Sequence, residues 1–194
     1  MITLLLDSSN IDLAVGIANE DKLIDSTIYE AWQVQSEYMV KEIDLLFKKY
    51  EISRNDIKDI MVSIGPGSYT GVRIALTIAK VMALALNISI YAVSSLHVLK
   101  NGDLPSICLM NARSGRSYIG VYQGNNCIIK DQVMKNDEVL NYISSHPGYA
   151  ICGDVSYLSL EGYKSNVINE MLSLKSSAAK YENILDIKPV YLKD

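Results

Sequence analysis

The sequence predicts an α/β protein with an internal duplication, a β-β-β-α-β-α-β-α unit followed by a second, shortened copy of it. Three observations carry that prediction. The chain opens on short apolar runs separated by tight polar turns, the mark of antiparallel neighbours. Apolar positions then recur at helical spacing between further strand-like runs. After Pro105 the same succession starts again.

Residues 2–8 begin as Ile2-Thr3-Leu4-Leu5-Leu6, a buried strand, and end in Asp7-Ser8-Ser9. Strands follow over 13–18 and 23–29, each entered through a polar turn. A helix is expected over 36–50, with Met39, Ile43, Leu46, Phe47 and Tyr50 on one face and Val40 widening it. Residues 59–64 form the fourth strand, 71–86 the second helix and 89–93 the fifth strand. A short helix over 95–100 stops at Asn101-Gly102. The fourth and fifth strands should join the first three in parallel, giving a five-stranded sheet. The second copy reads as strands at 106–110, 117–122 and 127–134, a helix over 136–145 and a strand at 150–152. Beyond Gly153 the apolar patterns at 157–160, 166–172 and 176–184 stay unassigned. Two units follow, residues 1–102 and 103–194.

The stretch Gly65-Pro66-Gly67-Ser68-Tyr69-Thr70-Gly71-Val72-Arg73 is the most telling. An apolar strand runs into glycines, which permit φ > 0 and close backbone approach, and a helix then begins. Ser68 and Thr70 are placed to cap it. Amides at the positive end of a helix suit an anion. Arg73 in the first turn opposes the helix dipole, so an acid or an anion is expected beside it. The spacing is neither the dinucleotide fingerprint nor the P-loop. On spacing alone a close-packed strand–helix turn without ligand is the favoured reading. The helix after it is apolar nearly all round, with Ile74, Ile78, Val81, Leu84 and Ala85 expected towards a sheet. Ala75, Leu76, Met82, Ala83 and Leu86 are left for other sides, so more than one face must be covered.

Composition narrows the function. With 194 residues, 49% of them hydrophobic, the chain can bury a real core. A net charge of −4 argues against gripping nucleic acid directly. Cys108, Cys127 and Cys152 are far apart in sequence, odd in number and set among apolar residues, the pattern of buried thiols in a reducing cytoplasm and not of disulfides or a zinc site. Charges are expected to interrupt every apolar run long enough to span a bilayer, and the N-terminus lacks a basic leader, so a cytoplasmic protein without membrane contact is expected. His97 and His146 share no metal-ligand spacing, and no Gly-x-Ser-x-Gly elbow is present. No catalytic residue and no metal site is assigned. Asp7 could hold a metal–phosphate, or merely cap the turn after it. Asn111, at the matching strand end of the second copy, cannot act as its carboxylate partner.

The nonapeptide at 65–73, with Asp7-Ser8-Ser9, Val93-Ser94-Ser95-Leu96, Asn111-Ala112-Arg113-Ser114-Gly115-Arg116-Ser117-Tyr118 and Pro189-Val190-Tyr191-Leu192-Lys193, resembles the TsaB (YeaZ) family of bacterial tRNA threonylcarbamoyladenosine synthesis. The similar segments run from the first strand to the last residues. The resemblance implies the actin-like ATPase fold (ASKHA, ribonuclease H-like), which agrees with the duplication. Four positions depart from the family pattern. Ser8 stands for threonine, Asn111 for aspartate, Lys193 for arginine and Gln35 for histidine.

The resemblance also implies a non-catalytic subunit that binds and activates TsaD, with the ATPase TsaE joining. That complex modifies the adenosine 3′ of the anticodon in tRNAs reading codons that start with A. The chain would meet tRNA only through the complex, and would form a homodimer in isolation. No cofactor of its own is expected beyond weak nucleotide binding or a nucleotide at the complex interface. The loop assigned to an anion or nucleotide comprises Asp7, Ser8, Ser9, Gly65, Gly67, Ser68, Thr70, Gly71 and Arg73. The partner surface is placed on the helices at 36–50 and 71–86, through Met39, Ile43, Leu46, Phe47, Ala75, Leu76, Met82 and Ala83. The competing reading is a small actin-fold kinase or ATPase acting alone.

Overall fold

The computed structural model describes residues 1–192, so Lys193 and the sequence match that ends on it lie outside the described residues. Strands β1 (Ile2–Asp7), β2 (Asp12–Asn19) and β3 (Lys22–Glu30) form the antiparallel meander. Strands β4 (Ile57–Ser63) and β5 (Ser89–Val93) join it in parallel, as expected. Strand β1 is apolar on both sides because both faces of the sheet are covered. Leu4 and Leu6 share a core with helices α1 (Gln35–Lys49) and α2 (Tyr69–Leu86). Leu5 packs instead with Ile168, Met171 and Leu174 of helix α4 (Val167–Leu174) on the opposite face.

The second sheet repeats the plan. Strands β6 (Ser106–Arg113), β7 (Arg116–Gln123), β8 (Asn126–Lys135) and β9 (Ala150–Cys152) lie in the order β8-β7-β6-β9, which mirrors β3-β2-β1-β4 in the first. Helix α3 (Asn136–Ser145) covers one face, where Ile107, Leu109, Ile119 and Val121 meet Val139. The other face, with Cys108, Met110, Tyr122 and Cys152, packs on Leu96 and Leu99 at the junction of the halves.

Expectations are corrected in four places: the first sheet with the elements flanking it, α2, the reading of membrane length and Cys127. The first sheet has six strands, because β10 (Ala179–Tyr181) pairs antiparallel with β5. Residues from 167 on therefore return to the first sheet instead of completing the unit drawn at 103–194. Gly16 makes the return possible, since a Cβ there would lie 2.4 Å from Ile168 Cγ2. An ion pair between buried Lys100 and Glu170 anchors α4 to the junction. The short helix expected over 95–100 is a single 3-10 turn, His97–Leu99.

The second correction concerns α2. Its inward stripe is Val72, Ala75, Leu76, Ala79 and Ala83, whereas Val81 and Leu84 are 62% and 58% exposed. Alanines let the helix lie close to the sheet, and the bulkier residues turn outward. Third, Tyr69–Leu86 is long and apolar enough to cross a membrane by length and composition, contrary to the expectation that charges break every such run. Here its inner stripe packs in the core. Fourth, Cys127 is exposed on β8, while Cys108 and Cys152 are buried.

Candidate functional site

The carboxyl ends of β1, β4 and β6 face one cleft of about 730 Å³. Crevices at strand ends are where open α/β sheets hold ligands. Asn10, Trp32 and Gln35 form one wall, and Gly67, Ser68 and Thr70 a second. Asn111, Arg113 and Asp154 come from the other half. Gln35, the departure from the family histidine, is buried and donates from Nε2 to the Asn10 carbonyl at 2.9 Å.

The glycine loop meets its neighbours backbone to backbone. A Cβ on Gly71 would lie 1.9 Å from the Ser8 carbonyl oxygen, and one on Gly67 would lie 2.3 Å from that of Ser9. The Ser68 amide donates to the Ser9 carbonyl at 2.7 Å, and the Ser8 hydroxyl to the Gly71 carbonyl at 2.7 Å. Gly65 exchanges hydrogen bonds with Ser95, its amide donating to Ser95 Oγ and its carbonyl accepting from the Ser95 amide, both at 2.9 Å. The tail closes the knot, because the Val190 amide donates to the Ile64 carbonyl at 2.7 Å and Tyr191 stacks on Tyr69 with centroids 5.1 Å apart. Segments 7–9, 65–73, 94–95 and 189–191 are thus one packed assembly. Nothing in the sequence joined them except their shared place in the resemblance.

The residues assigned to the anion loop fare unequally. Ser68 caps α2, accepting from the Gly71 amide at 3.2 Å, but Thr70 sits exposed inside the helix and caps nothing. The amides of Gly65, Ser68 and Gly71 are engaged by protein oxygens. Among the described residues Arg73 meets Tyr69 and not an acid. Its guanidinium donates to the Tyr69 hydroxyl at 2.6 Å and lies over that ring. Asp7 is buried, accepts from the Ser63 hydroxyl and from the Ser9 amide, and does not line the cleft. Burial pushes its carboxyl above the usual range, against those hydrogen bonds. Asn111 is exposed and accepts from the Arg113 amide at 2.8 Å. Ser9 Oγ is buried without a hydrogen-bond partner among the described residues.

A second polar group, missed in the sequence, spans the junction of the halves. Ser94 Oγ accepts from the Leu96 and His97 amides and donates to Asp131 Oδ2 at 2.6 Å. Tyr122 donates to the other oxygen of Asp131, and His97 stacks on Tyr122 with centroids 3.9 Å apart. His97 Nε2 donates to the Gly124 carbonyl at 2.9 Å. Burial raises Asp131 and Tyr122 and lowers His97, so desolvation favours the neutral form of each. These groups link β8 and β7 of the second half to the turn after β5 of the first.

The residues assigned to the partner surface also separate. Met39, Ile43, Leu46, Ala75, Leu76 and Ala83 are buried in the chain's own core, because α1 and α2 press them onto the sheet. Phe47 and Met82 are half-buried. The large aliphatic side chains left outward among the described residues of the two helices are Val40 and Leu45 of α1 and Val81 and Leu84 of α2.

Residues 30–193 match the family model described as TsaD: tRNA N6-adenosine threonylcarbamoyltransferase. The tRNA threonylcarbamoyladenosine biosynthesis protein TsaB of Bacillus subtilis is 36% identical over 72% of this chain. The protein of that name from Buchnera aphidicola is 30% identical over 49% of it. The matched stretches span 62% and 50% of those two relatives' lengths. YeaZ from Pseudomonas aeruginosa has the same fold, with a TM-score of 0.80 over 98% of this chain and 99% of that one at 21% identity.

Proposed function

The chain belongs to the TsaD family of tRNA N6-adenosine threonylcarbamoyltransferase, and from that premise we propose that it works in tRNA threonylcarbamoyladenosine synthesis as a non-catalytic subunit. In this reading it binds and activates a TsaD protein, with TsaE joining, in the cytoplasm. It meets tRNA only through that complex.

The observation that carries the proposal is the outward face of α2, where Val81 and Leu84 stand exposed next to half-buried Ile78 and Met82. Exposed apolar surface of this kind marks a contact surface. The same face would close on a second copy when the chain is alone. The cleft supports a scaffold better than a transferase centre, since among the described residues the charges that line it are Arg113 and Asp154, and Asp7 is buried outside its lining. The relatives named TsaB supply the pathway.

The test is co-purification with the TsaD of the same organism, followed by a tRNA-modification assay with and without this chain. Modification that requires the chain, together with no ATP turnover by the chain alone, is the expected result. Full modification without it overturns the proposal.

A further inference from the structure

Cys108 and Cys152 are far apart in sequence and adjacent in the fold. They are registered opposite one another on the parallel strands β6 and β9. Both are fully buried, in one cluster with Leu96, Leu99, Met110 and Tyr122. Neighbouring strands lie roughly 4.8 Å apart, and a disulfide bridges Cα atoms separated by roughly 4.4–6.8 Å. Both side chains lie on the same face of the sheet, in that one cluster, each thiol within 4.0 Å of a carbonyl on its own strand, Ser106 for Cys108 and Ala150 for Cys152. We propose that these residues form a reversible oxidation site, a dithiol that a hydroperoxide converts to a cross-strand disulfide at the junction of the halves.

The chemistry balances within the pair. The Cys152 thiolate attacks one peroxide oxygen, the O–O bond breaks, and Cys152 becomes a sulfenic acid as hydroxide leaves and takes up a proton. The Cys108 sulfur then attacks the Cys152 sulfur, the S–O bond breaks and a second water leaves. Two thiols are oxidised and one hydroperoxide is reduced. The roles follow from the surroundings: the neighbouring Cys108 lowers the Cys152 thiol, while burial pushes Cys108 up.

Access comes from the strand. β9 has three residues, lies at the edge of its sheet and pairs with β6 alone, apart from the single bridge Cys152↔Tyr163. Short edge elements open locally at little cost. A consequence follows for the cleft. Cys152 is succeeded by Gly153, whose φ is 103° and where a Cβ would lie 2.3 Å from the Leu109 carbonyl oxygen, and then by Asp154, which lines the cleft. A disulfide would fix β9, and with it the start of that wall.

The experiment uses the full chain carrying Cys127→Ser, which removes the exposed thiol. The protein is exposed to hydrogen peroxide, unfolded, alkylated and mapped by mass spectrometry without reductant. Expected are loss of both alkylatable thiols, a linked peptide joining Cys108 to Cys152, full recovery on reduction, and slower amide exchange across β9 in the oxidised protein. A sulfenic or sulfinic acid on one cysteine with the other still alkylatable overturns the proposal. So does a linked peptide that appears only when peroxide is added to unfolded chain. Cys108→Ser in the same background should leave Cys152 to over-oxidise, and a Cys152 as resistant as before would also sink the idea.

Discussion

The hydroxyl of Ser63 donates to Oδ1 of Asp7, tying the end of β4 to the end of β1 beneath the cleft. In the sequence Asp7 is the residue placed to hold a metal–phosphate. In the fold it is a buried polar strut shared by two neighbouring strands, with its second oxygen turned to the Ser9 amide.

That placement has a pH signature. Burial raises the folded-state pKa of Asp7 above 3.8, so the folded protein holds the proton more tightly than the unfolded chain. Its favourable contribution is complete below the unfolded value and is lost as pH rises through the folded one. Asp7→Asn keeps an acceptor for Ser63 and removes the charge. The variant should melt at or above the parent at neutral pH, with the difference vanishing towards pH 3.8. Urea unfolding at the two pH values checks it. If the purified chain hydrolyses ATP and Asp7→Ala abolishes the turnover, the lone-kinase reading is restored.

The glycines before α2 should be intolerant for a steric reason. Ala at Gly71 would gain helix propensity but drive a Cβ to within 1.9 Å of the Ser8 carbonyl, a backbone atom that cannot swing aside. Gly71→Ala should cost about 1–3 kcal/mol, as overpacking does. Gly148→Ala, where nothing lies within 4 Å, is the control and should change little. Denaturant midpoints of the two variants decide it.

Lys100 and Glu170 form a pair whose side chains are 3% and 15% exposed. Lys100 also donates to the Gly102 carbonyl at 3.3 Å. Lys100→Met would strip the mostly buried Glu170 carboxylate of its cation and leave it the Gly102 amide and the Ser173 hydroxyl, which costs about 3–5 kcal/mol. The double variant Lys100→Met with Glu170→Leu should recover much of that loss. Failure of the second change to restore stability would show that Lys100 acts through packing instead.

How much of this was legible in the sequence differs by kind of information. Strand runs and the meander were readable, because β1 is apolar throughout and short turns enforce antiparallel pairing. The α2 stripe was misread because Ala75, Ala79 and Ala83 carry little hydrophobic signal beside Ile, Val and Leu. Yet small residues are what allow a helix to lie close to a sheet. The sixth strand was missed since β10 has three residues with only Tyr181 half-buried, and its partner lies far back in the chain. The family motifs at 7–9 and 65–73 suggested a ligand loop. They meet one another instead, a relation that spacing along a single chain does not encode.

The outward face of α2 provides the sharpest test of the proposed role. Within the partner surface that the sequence assigns, a charge at Leu76 would mix two effects, because Leu76 is 4% exposed and belongs to the core. A carboxylate there would be buried without a partner, and Leu76→Asp should fail to fold. Val81 and Leu84 are different. They are more than half exposed, and surface substitutions of that kind usually change stability by less than about 0.5 kcal/mol. Val81→Asp with Leu84→Asp should therefore give a chain whose circular dichroism and melting match the parent. It should elute as a monomer by light scattering, and it should no longer co-purify with TsaD or support tRNA modification. A charge on this face must be desolvated if the face is covered, so a contact here cannot absorb both changes. If the folded double variant still associates and still supports modification, the partner binds elsewhere. The exposed Val40 and Leu45 of α1 would then be the next face to change.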